Sequence, residues 1–179
     1  MPEPFLLSTM DSKKVAFDWL LSFYCVIFLI MPKEKVWTLK KAKKYAWDQF
    51  SIFIRTRDCL KTTGNPGVGV CITCSRKYDF KKLQAGHFIQ GRHNNNLFSE
   101  RGVHAQCFYC NMQLKGNVLE YRRKIIAMYG YEADEQLEAA EKVLVKYILK
   151  DYLEIADKYI AKTKALLEPS DAGVDRLIM

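Results

Sequence analysis

Two pairs of cysteines have the spacing of a metal site. They are Cys71–Cys74 and Cys107–Cys110, with residues 75–106 between them. A two-residue gap lets both thiolates of one tight turn, here called a knuckle, point at the same ion. Disulfides in a secreted protein fit poorly, because Cys25 and Cys59 have no evident role and no cleavable signal peptide is clear. We therefore predict one structural zinc ion, bound by the sulfurs of Cys71, Cys74, Cys107 and Cys110.

Two further residues near the knuckles have the chemistry for phosphodiester hydrolysis. His87 ends the segment Gln84–His87, and Asn111 directly follows the last cysteine. Hydrolysis needs a base that activates water and a divalent ion that stabilises the charge on the phosphate. We predict that His87 is the base and that Asn111 holds a hard ion such as Mg²⁺ or Mn²⁺. The alternative is a packed histidine and a turn-forming asparagine, but their joint position within the four-cysteine frame favours catalysis.

The charge distribution favours a nucleic-acid partner. Residues 31–131 carry 19 Lys and Arg against 6 Asp and Glu, whereas residues 132–179 carry 7 against 11. A basic segment with interleaved aromatic residues is typical of nucleic-acid binding, although a solvated lysine-rich surface is the alternative. Backbone contacts without base readout are expected of such residues. The predicted DNA-contacting residues are Arg92, His93, Arg101, Lys115, Arg122 and Arg123.

The pattern of apolar residues predicts a mixed, mostly helical fold. Spacings of three and four residues indicate a basic helix from Glu34 to about Asp58. Short strands are expected over 82–89 and 103–106, with a loop at Asn94–Asn96 between them. Asn117–Glu120 has the form of a capping box, so a helix is expected to run from there to Tyr129 and to stop at Gly130.

A longer helix is predicted over roughly Ala133–Leu167, followed by Pro169. Its apolar stripe is longer than one small domain covers, which favours a homodimer joined through this helix. The alternative is that the helix folds back on the 34–58 helix within one chain. The stripe consists of Leu137, Ala140, Leu144, Ile148, Ile155 and Tyr159.

The N-terminal segment differs from the rest of the chain. Residues 15–31 are mostly apolar but include Asp18, which is marginal for a membrane span. We interpret residues 1–30 as an extension upstream of the true start at Met31, the alternative being a membrane or partner-binding helix. No stable membrane association is expected. The predicted division is 1–30, then a nuclease domain over 31–131 with zinc, then a helical arm over 132–179.

The order of motifs from about Lys40 to Glu132 resembles the phage lambda NinG (Rap) family of recombination endonucleases. The skeleton of CxxC, His and CxxC-Asn is also similar to endonuclease VII type resolvases, which have a zinc-braced HNH or His-Me finger fold. The matching motifs are Arg57-Asp58-Cys59, Cys71 to Cys74, Ala85-Gly86-His87, His104-Ala105-Gln106-Cys107 to Cys110-Asn111, Gly116-Asn117 and Tyr121-Arg122.

The resemblance implies an α+β fold in which a zinc-stabilised strand-strand-helix core lies between a basic N-terminal helix and a long C-terminal helix. It implies a metal-dependent, structure-specific endonuclease acting on branched recombination intermediates such as Holliday junctions, flaps or D-loops. The zinc would be structural, and the catalytic ion Mg²⁺ or Mn²⁺. The expected partners are branched DNA and phage recombination proteins, in the cytoplasm of an infected or prophage-carrying bacterium.

The chain departs from the resolvase pattern at two glycines. Gly102 stands where HNH proteins have an Asn, and Gly86 stands where endonuclease VII types have an Asp before the base. Asp79, Glu100 or His104 could supply the missing ligand, and Glu100 is our preferred candidate. The alternative function is a non-catalytic zinc-ribbon module that binds nucleic acid.

Overall fold

The structure, a computed structural model, describes residues 36–91 and 94–168. Two two-stranded antiparallel sheets accompany the helices, so the chain is mixed α and β as predicted. The helices are α1 (Leu39–Thr63), α2 (Asn94–Leu97), α3 (Val118–Tyr129), α4 (Ala133–Glu141) and α5 (Leu149–Leu167). The strands are β1 (Val68–Val70) and β2 (Lys77–Asp79), which pair, and β3 (Leu83–His87) and β4 (Val103–Cys107), which pair.

The long helix α1 is the central scaffold. The hydroxyl of Thr38 accepts the backbone N–H of Lys41 at its start, and Gly64 ends it at a φ of 70°. Because Gly has no Cβ, it adopts this left-handed conformation without strain. The buried face of α1 includes Phe50 and Phe53, and each buried aromatic side chain stabilises the fold by about 2 kcal/mol.

Helix α5 packs along α1 within the same chain. Its buried residues Tyr152, Ala156 and Tyr159 contact the buried face of α1. The ring of Tyr159 lies edge-on to Phe50, with ring centroids 4.8 Å apart. The intrachain alternative is therefore correct, and the apolar stripe provides no argument for a dimer.

The predicted single helix over 133–167 is wrong. The chain leaves helix α4 after Glu141 and enters α5 at Leu149, where the Asp151 carboxylate accepts the backbone N–H of Ile148. Leu144 and Ile148 of the predicted stripe are consequently exposed, at 84% and 63%.

The sheet of β3 and β4 carries the central motifs. Gly86 lies opposite His104, and His87 lies opposite Val103. Side chains alternate between the two faces of a strand, so His87 and His104 belong to opposite faces. Both strands were predicted within two residues of their observed ends. The predicted loop at Asn94–Asn96 instead forms most of the single-turn helix α2.

Helix α3 spans the residues predicted for it and ends at Gly130. The predicted capping box does not form, because Asn117 has a φ of 48° and its side chain makes no cap hydrogen bond. Within the described residues, none of the helices has both the length and the apolar character to cross a membrane. The apolar run over 15–31 lies outside the described residues.

Candidate metal centre and catalytic cleft

The four cysteines of the two knuckles form one cluster. Their sulfur atoms all lie within 4.8 Å of one another, and the sulfurs of Cys74 and Cys107 are 3.9 Å apart. A tetrahedral zinc site with Zn–S bonds of about 2.3 Å needs sulfurs about 3.8 Å apart. The cluster therefore has the dimensions to hold a metal ion such as zinc.

Local backbone geometry builds each knuckle. In the first, Ser75 adopts a φ of 58° and its N–H donates to the Cys71 carbonyl, which turns the chain sharply. In the second, the Cys110 N–H points at the Cys107 sulfur at 3.5 Å. An N–H directed at sulfur favours the thiolate, which is the form that binds metal.

The protonation of the thiols also favours a bound cation. Burial raises the pKa of the Cys74 and Cys110 thiols, that of Cys110 to about 12. Burial also raises the pKa of Cys71, but hydrogen bonds from the Cys74 backbone and from Thr73 outweigh it and lower this pKa to about 7. Four adjacent thiolates repel one another, so a divalent cation is needed for all four to ionise together.

His87 and Asn111 line the same cleft, of about 210 Å³. β3 supplies His87, and the π-helical turn Tyr109–Gln113 that follows β4 supplies Asn111. The structure thus brings together the two residues that the sequence singled out. The remaining lining residues are Ala85, Gln90, Gly91, Met112, Lys115 and Gly116.

Two contacts orient the imidazole of His87. Its Nε2 lies 3.3 Å from the Leu97 carbonyl oxygen, and its ring stacks on Trp47 with centroids 5.0 Å apart. A carbonyl only accepts hydrogen bonds, so Nε2 carries the proton in this contact and the lone pair of the neutral ring is on Nδ1. Nδ1 is thus the nitrogen able to take a proton from water.

The amide of Asn111 is held by Gln84. Asn111 Nδ2 donates to Gln84 Oε1 at 2.7 Å, which fixes the orientation of the planar amide and with it the position of the Asn111 carbonyl oxygen. That oxygen lies 3.1 Å from the position that a Cβ on Gly86 would occupy. The Asn111 oxygen is therefore packed against the strand that carries His87.

Gly86 leaves room for the buried amide of Gln106. A Cβ at Gly86 would lie 2.0 Å from Gln106 Oε1, which is much closer than atoms approach. The Nε2 of Gln106 donates to the Gly116 carbonyl at 2.8 Å and to the Thr73 hydroxyl. Its Oε1 has no hydrogen-bond partner among the described residues. The Asp of the resolvase pattern is thus excluded at position 86 while Gln106 stays in place.

Glu100 and His104 are not brought to the cleft. Glu100 pairs with Lys162 at 2.5 Å and accepts the Tyr159 hydroxyl, so it links the β3–β4 connection to α5. Burial raises its pKa, but the contacts with Lys162 outweigh burial and lower it. Asp79 pairs with Lys82 on the surface. None of these three side chains lines the cleft.

His104 belongs to a buried network on the other face of the sheet. Its Nδ1 lies 3.1 Å from the Asp58 carboxylate, and its Nε2 lies 3.2 Å from the Tyr129 hydroxyl. Asp58 also binds Arg57 at 2.8 Å and accepts the Ala105 N–H at 2.7 Å. This network ties α1 to the edge of β4, which explains the buried Arg57-Asp58 pair in structural terms.

The predicted DNA-contacting residues have different surroundings. Lys115 lines the cleft beside Asn111. Arg101 lies over the Tyr129 ring, while Arg122 pairs with Asp134 and Glu138 and Arg123 pairs with Glu120. Carboxylate pairing reduces the positive charge available to phosphate at Arg122 and Arg123. Arg92 and His93 lie outside the described residues.

Sequence reasoning missed the residues that support the site. The sequence shows only that Trp47 lies on one face of a predicted helix. Nothing in the sequence distinguishes Gln84 from the other amide side chains. Gln106 had a usable signal, because an amide on a short strand next to a knuckle cysteine must find hydrogen-bond partners when buried.

Comparison with known proteins gives consistent matches over this region. A family model described as the bacteriophage lambda NinG protein matches residues 30–168. The chain is 34% identical over 97 residues to protein ninG of Escherichia phage lambda, covering 54% of this chain and 43% of that protein. It is 31% identical over 124 residues to protein ninG of Escherichia phage 933W, covering 69% and 57%.

The chain thus spans about half the length of the curated relatives it matches, and no solved structure matches it. The family match covers both knuckles, the cleft and the helices around them. On these grounds the chain belongs to the bacteriophage lambda NinG family.

Proposed function

We propose that this chain is a metal-dependent endonuclease domain that hydrolyses phosphodiester bonds in branched DNA. The observation that carries the proposal is that His87 and Asn111 line one small cleft next to Lys115. A base, an oxygen ligand and a cation are the groups that phosphodiester hydrolysis requires in one place. The antiparallel β3–β4 pair followed by a helical turn corresponds to the order of a His-Me finger.

In this proposal His87 activates the attacking water. The Leu97 carbonyl holds the proton of Nε2, so Nδ1 accepts the proton that water loses as it attacks phosphorus. Trp47 keeps the ring plane fixed through stacking. Lys115, which also lines the cleft, neutralises part of the phosphate charge.

Asn111 would hold the catalytic Mg²⁺ or Mn²⁺ through its carbonyl oxygen, and the ion would stabilise charge on the phosphate and the leaving oxygen. Among the described residues, the lining of the cleft includes no carboxylate. One amide oxygen is a weak site, so the ion would need further oxygen ligands, such as water and the DNA phosphate.

The four-cysteine cluster has a structural role in this proposal. Its sulfurs hold zinc, and the second knuckle leads directly into the turn that carries Asn111. In the same proposal, basic residues contact the backbone of branched DNA. Phage recombination proteins are the partners of this protein, in the cytoplasm of an infected bacterium.

The lack of a carboxylate in the described lining of the cleft favours a second candidate, a non-catalytic zinc module that binds nucleic acid. This candidate explains the cysteine cluster and the basic residues. It leaves the shared cleft of His87 and Asn111 without a purpose, which is why we rank it second.

The test is cleavage of four-way junction, flap and linear duplex DNA by the purified chain, with Mg²⁺, with Mn²⁺ and with neither. His87→Ala should lower the cleavage rate at least 100-fold while DNA affinity and zinc content stay near wild type. Asn111→Ala should abolish cleavage or raise the metal requirement, whereas Gln136→Ala, an exposed amide outside the cleft lining, should leave cleavage unchanged. Cleavage at the wild-type rate by both His87→Ala and Asn111→Ala would refute the assignment of this cleft as a nuclease active site. DNA binding by the wild type without any cleavage would favour the zinc module.

A further inference from the structure

The second knuckle carries exposed apolar side chains beside the cleft. Phe108 is 53% exposed, Tyr109 61% and Met112 57%, and we call these three residues the knuckle patch. Large apolar side chains rarely remain grouped on a surface without a binding role. Their neighbours Cys107 and Cys110 are buried, so the patch stands on backbone that the sulfur cluster holds in place.

The knuckle patch is continuous with the cleft. Met112 lines the cleft together with His87 and Asn111, and Phe108 lies one helical turn before Met112. Residues four apart in a helical turn project from the same side. A strand whose phosphate occupies the cleft therefore has its adjoining nucleotide next to the patch.

The charge around the patch suits a polyanion. Residues 71–78 and 107–124 contain six Lys and Arg, of which Arg122 and Arg123 pair with carboxylates. Exposed Arg76, Lys77 and Lys115 belong to these two segments. Lys115 also lines the cleft that Met112 lines, and an apolar patch next to such a cation fits nucleic acid better than it fits the surface of an ordinary protein.

Only unpaired bases can use such a patch. The faces of bases inside a duplex are covered by their stacked neighbours, whereas a base at a branch, flap or gap has a free face. Exposed aromatic rings bind such faces by stacking, without regard to sequence. Met112 adds a polarisable side chain that packs against the same bases.

We propose that Phe108, Tyr109 and Met112 form a stacking site for unpaired nucleobases next to the cleaved phosphate. This inference rests on the proposed function for the position of the phosphate. It also supplies the source of structure specificity, because the patch distinguishes a branch from a continuous duplex without reading the base sequence.

The test uses the full chain carrying His87→Ala, so that DNA is bound without being cut. The probe is 2-aminopurine at the first unpaired nucleotide of a flap, and the same label inside a continuous duplex is the reference. Binding should quench the flap label through stacking. Phe108→Ala and Tyr109→Ala should each weaken flap binding about 5- to 100-fold, leave duplex binding within twofold and remove the quenching.

Matched variants separate stacking from folding. Phe108→Leu keeps apolar volume but lacks the ring, so it should behave like Phe108→Ala, while Phe108→Trp should retain binding. Tyr131→Ala removes an aromatic residue that is 86% exposed and outside the cleft lining, and should have no effect. Zinc content and circular dichroism establish that each variant is folded.

Three results would overturn the stacking site. They are unchanged flap binding in Phe108→Ala and Tyr109→Ala, equal losses for flap and duplex, or micromolar self-association of the wild type that Phe108→Ala abolishes. The last result would make the patch an interface between copies. The stacking assay measures binding by an inactive variant, whereas the nuclease proposal is tested by cleavage with the wild type. The two proposals can therefore fail independently of each other.

Discussion

The indole of Trp47 lies nearly parallel to the imidazole of His87, with ring planes 17° apart and centroids separated by 5.0 Å. Trp47 comes from α1 and His87 from the end of β3, so the stack connects the scaffold helix directly to the cleft. The stack and the Leu97 carbonyl together restrict the orientation of the imidazole.

Trp47→Ala should lower the rate of DNA cleavage about tenfold, because the base loses the ring that restricts its rotation. DNA affinity should stay within twofold. Trp37→Ala is the matched control, since Trp37 packs on Tyr45 and does not contact His87 through a stack. An equal rate loss in both variants would indicate general destabilisation and contradict the positioning role.

The tautomer of His87 is a second expected outcome. Its Nε2 donates to the Leu97 carbonyl, so the neutral ring should carry its proton on Nε2. ¹⁵N NMR of labelled histidine, at a pH where the ring is neutral, distinguishes the two nitrogens. A ring protonated mainly on Nδ1 would rule out Nδ1 as the base.

Gln84 should control the metal requirement. Gln84→Ala removes the acceptor that fixes the Asn111 amide, and should raise the Mg²⁺ concentration for half-maximal cleavage about 10- to 100-fold. Gln84→Glu keeps an acceptor and should stay near wild type. Gln136→Ala, an exposed amide on α4, is the control. An unchanged metal titration in Gln84→Ala would show that Asn111 does not need this contact.

The cysteines should divide into two groups. Cys110→Ser should lower zinc content well below one ion per chain and unfold the knuckles, because structural zinc contributes directly to folding. Cys59→Ala should keep full zinc content, since Cys59 lies outside the cluster. Its free energy of unfolding should fall by about 1 kcal/mol, because Cys59 is buried against Leu83. Metal analysis and thermal unfolding measure both effects. Full zinc content in Cys110→Ser would disprove the site.

Asp58 should link stability to acid pH. Burial raises the pKa of its carboxyl, but His104 and Arg57 outweigh burial and hold it below the usual range. A lowered folded-state pKa stabilises the fold above the unfolded pKa of about 3.9, and this stability is lost as pH falls through the folded pKa. Asp58→Asn should therefore lower the free energy of unfolding by about 3 kcal/mol at neutral pH, and the difference from the wild type should shrink below about pH 4.

Denaturant unfolding of the wild type and of Asp58→Asn at several pH values measures this effect. Both proteins keep the four-cysteine site, so any contribution of zinc is the same in the two. Asp48→Asn is the control, because its partner Lys44 is exposed and such pairs contribute about 0.5 kcal/mol or less. A pH-independent difference between wild type and Asp58→Asn would contradict the linkage.

The sequence predicted the parts of the fold that depend on local patterns. Helix α3 ends at Gly130 as expected, since a glycine there relieves the strain of a positive φ, here 92°. The shared cleft of His87 and Asn111 followed from their motif positions. The break after Glu141 could not be predicted, because Val143, Leu144 and Val145 continue the apolar pattern.

Tertiary hydrogen bonds account for that break. The side chain of Asn95 donates to the Ala140 carbonyl, and that of Asn94 donates to the Val145 carbonyl. These contacts satisfy backbone groups that would otherwise continue a helix, and their donors lie about 50 positions earlier in the chain. Trp47 and Gln84 were missed for the same reason, since long-range contacts leave no periodic signal.

The contact between Gly86 and Gln106 has an evolutionary consequence. A side chain at position 86 cannot be accommodated while the Gln106 amide fills the space, and shortening Gln106 alone would leave a buried void. The two positions therefore form a coupled pair, and we expect them to change together. Relatives with an aspartate at the position of Gly86 should carry a small residue just before the second CxxC pair. A carboxylate engineered at position 86 should be accommodated best when Gly86→Asp is combined with Gln106→Ala.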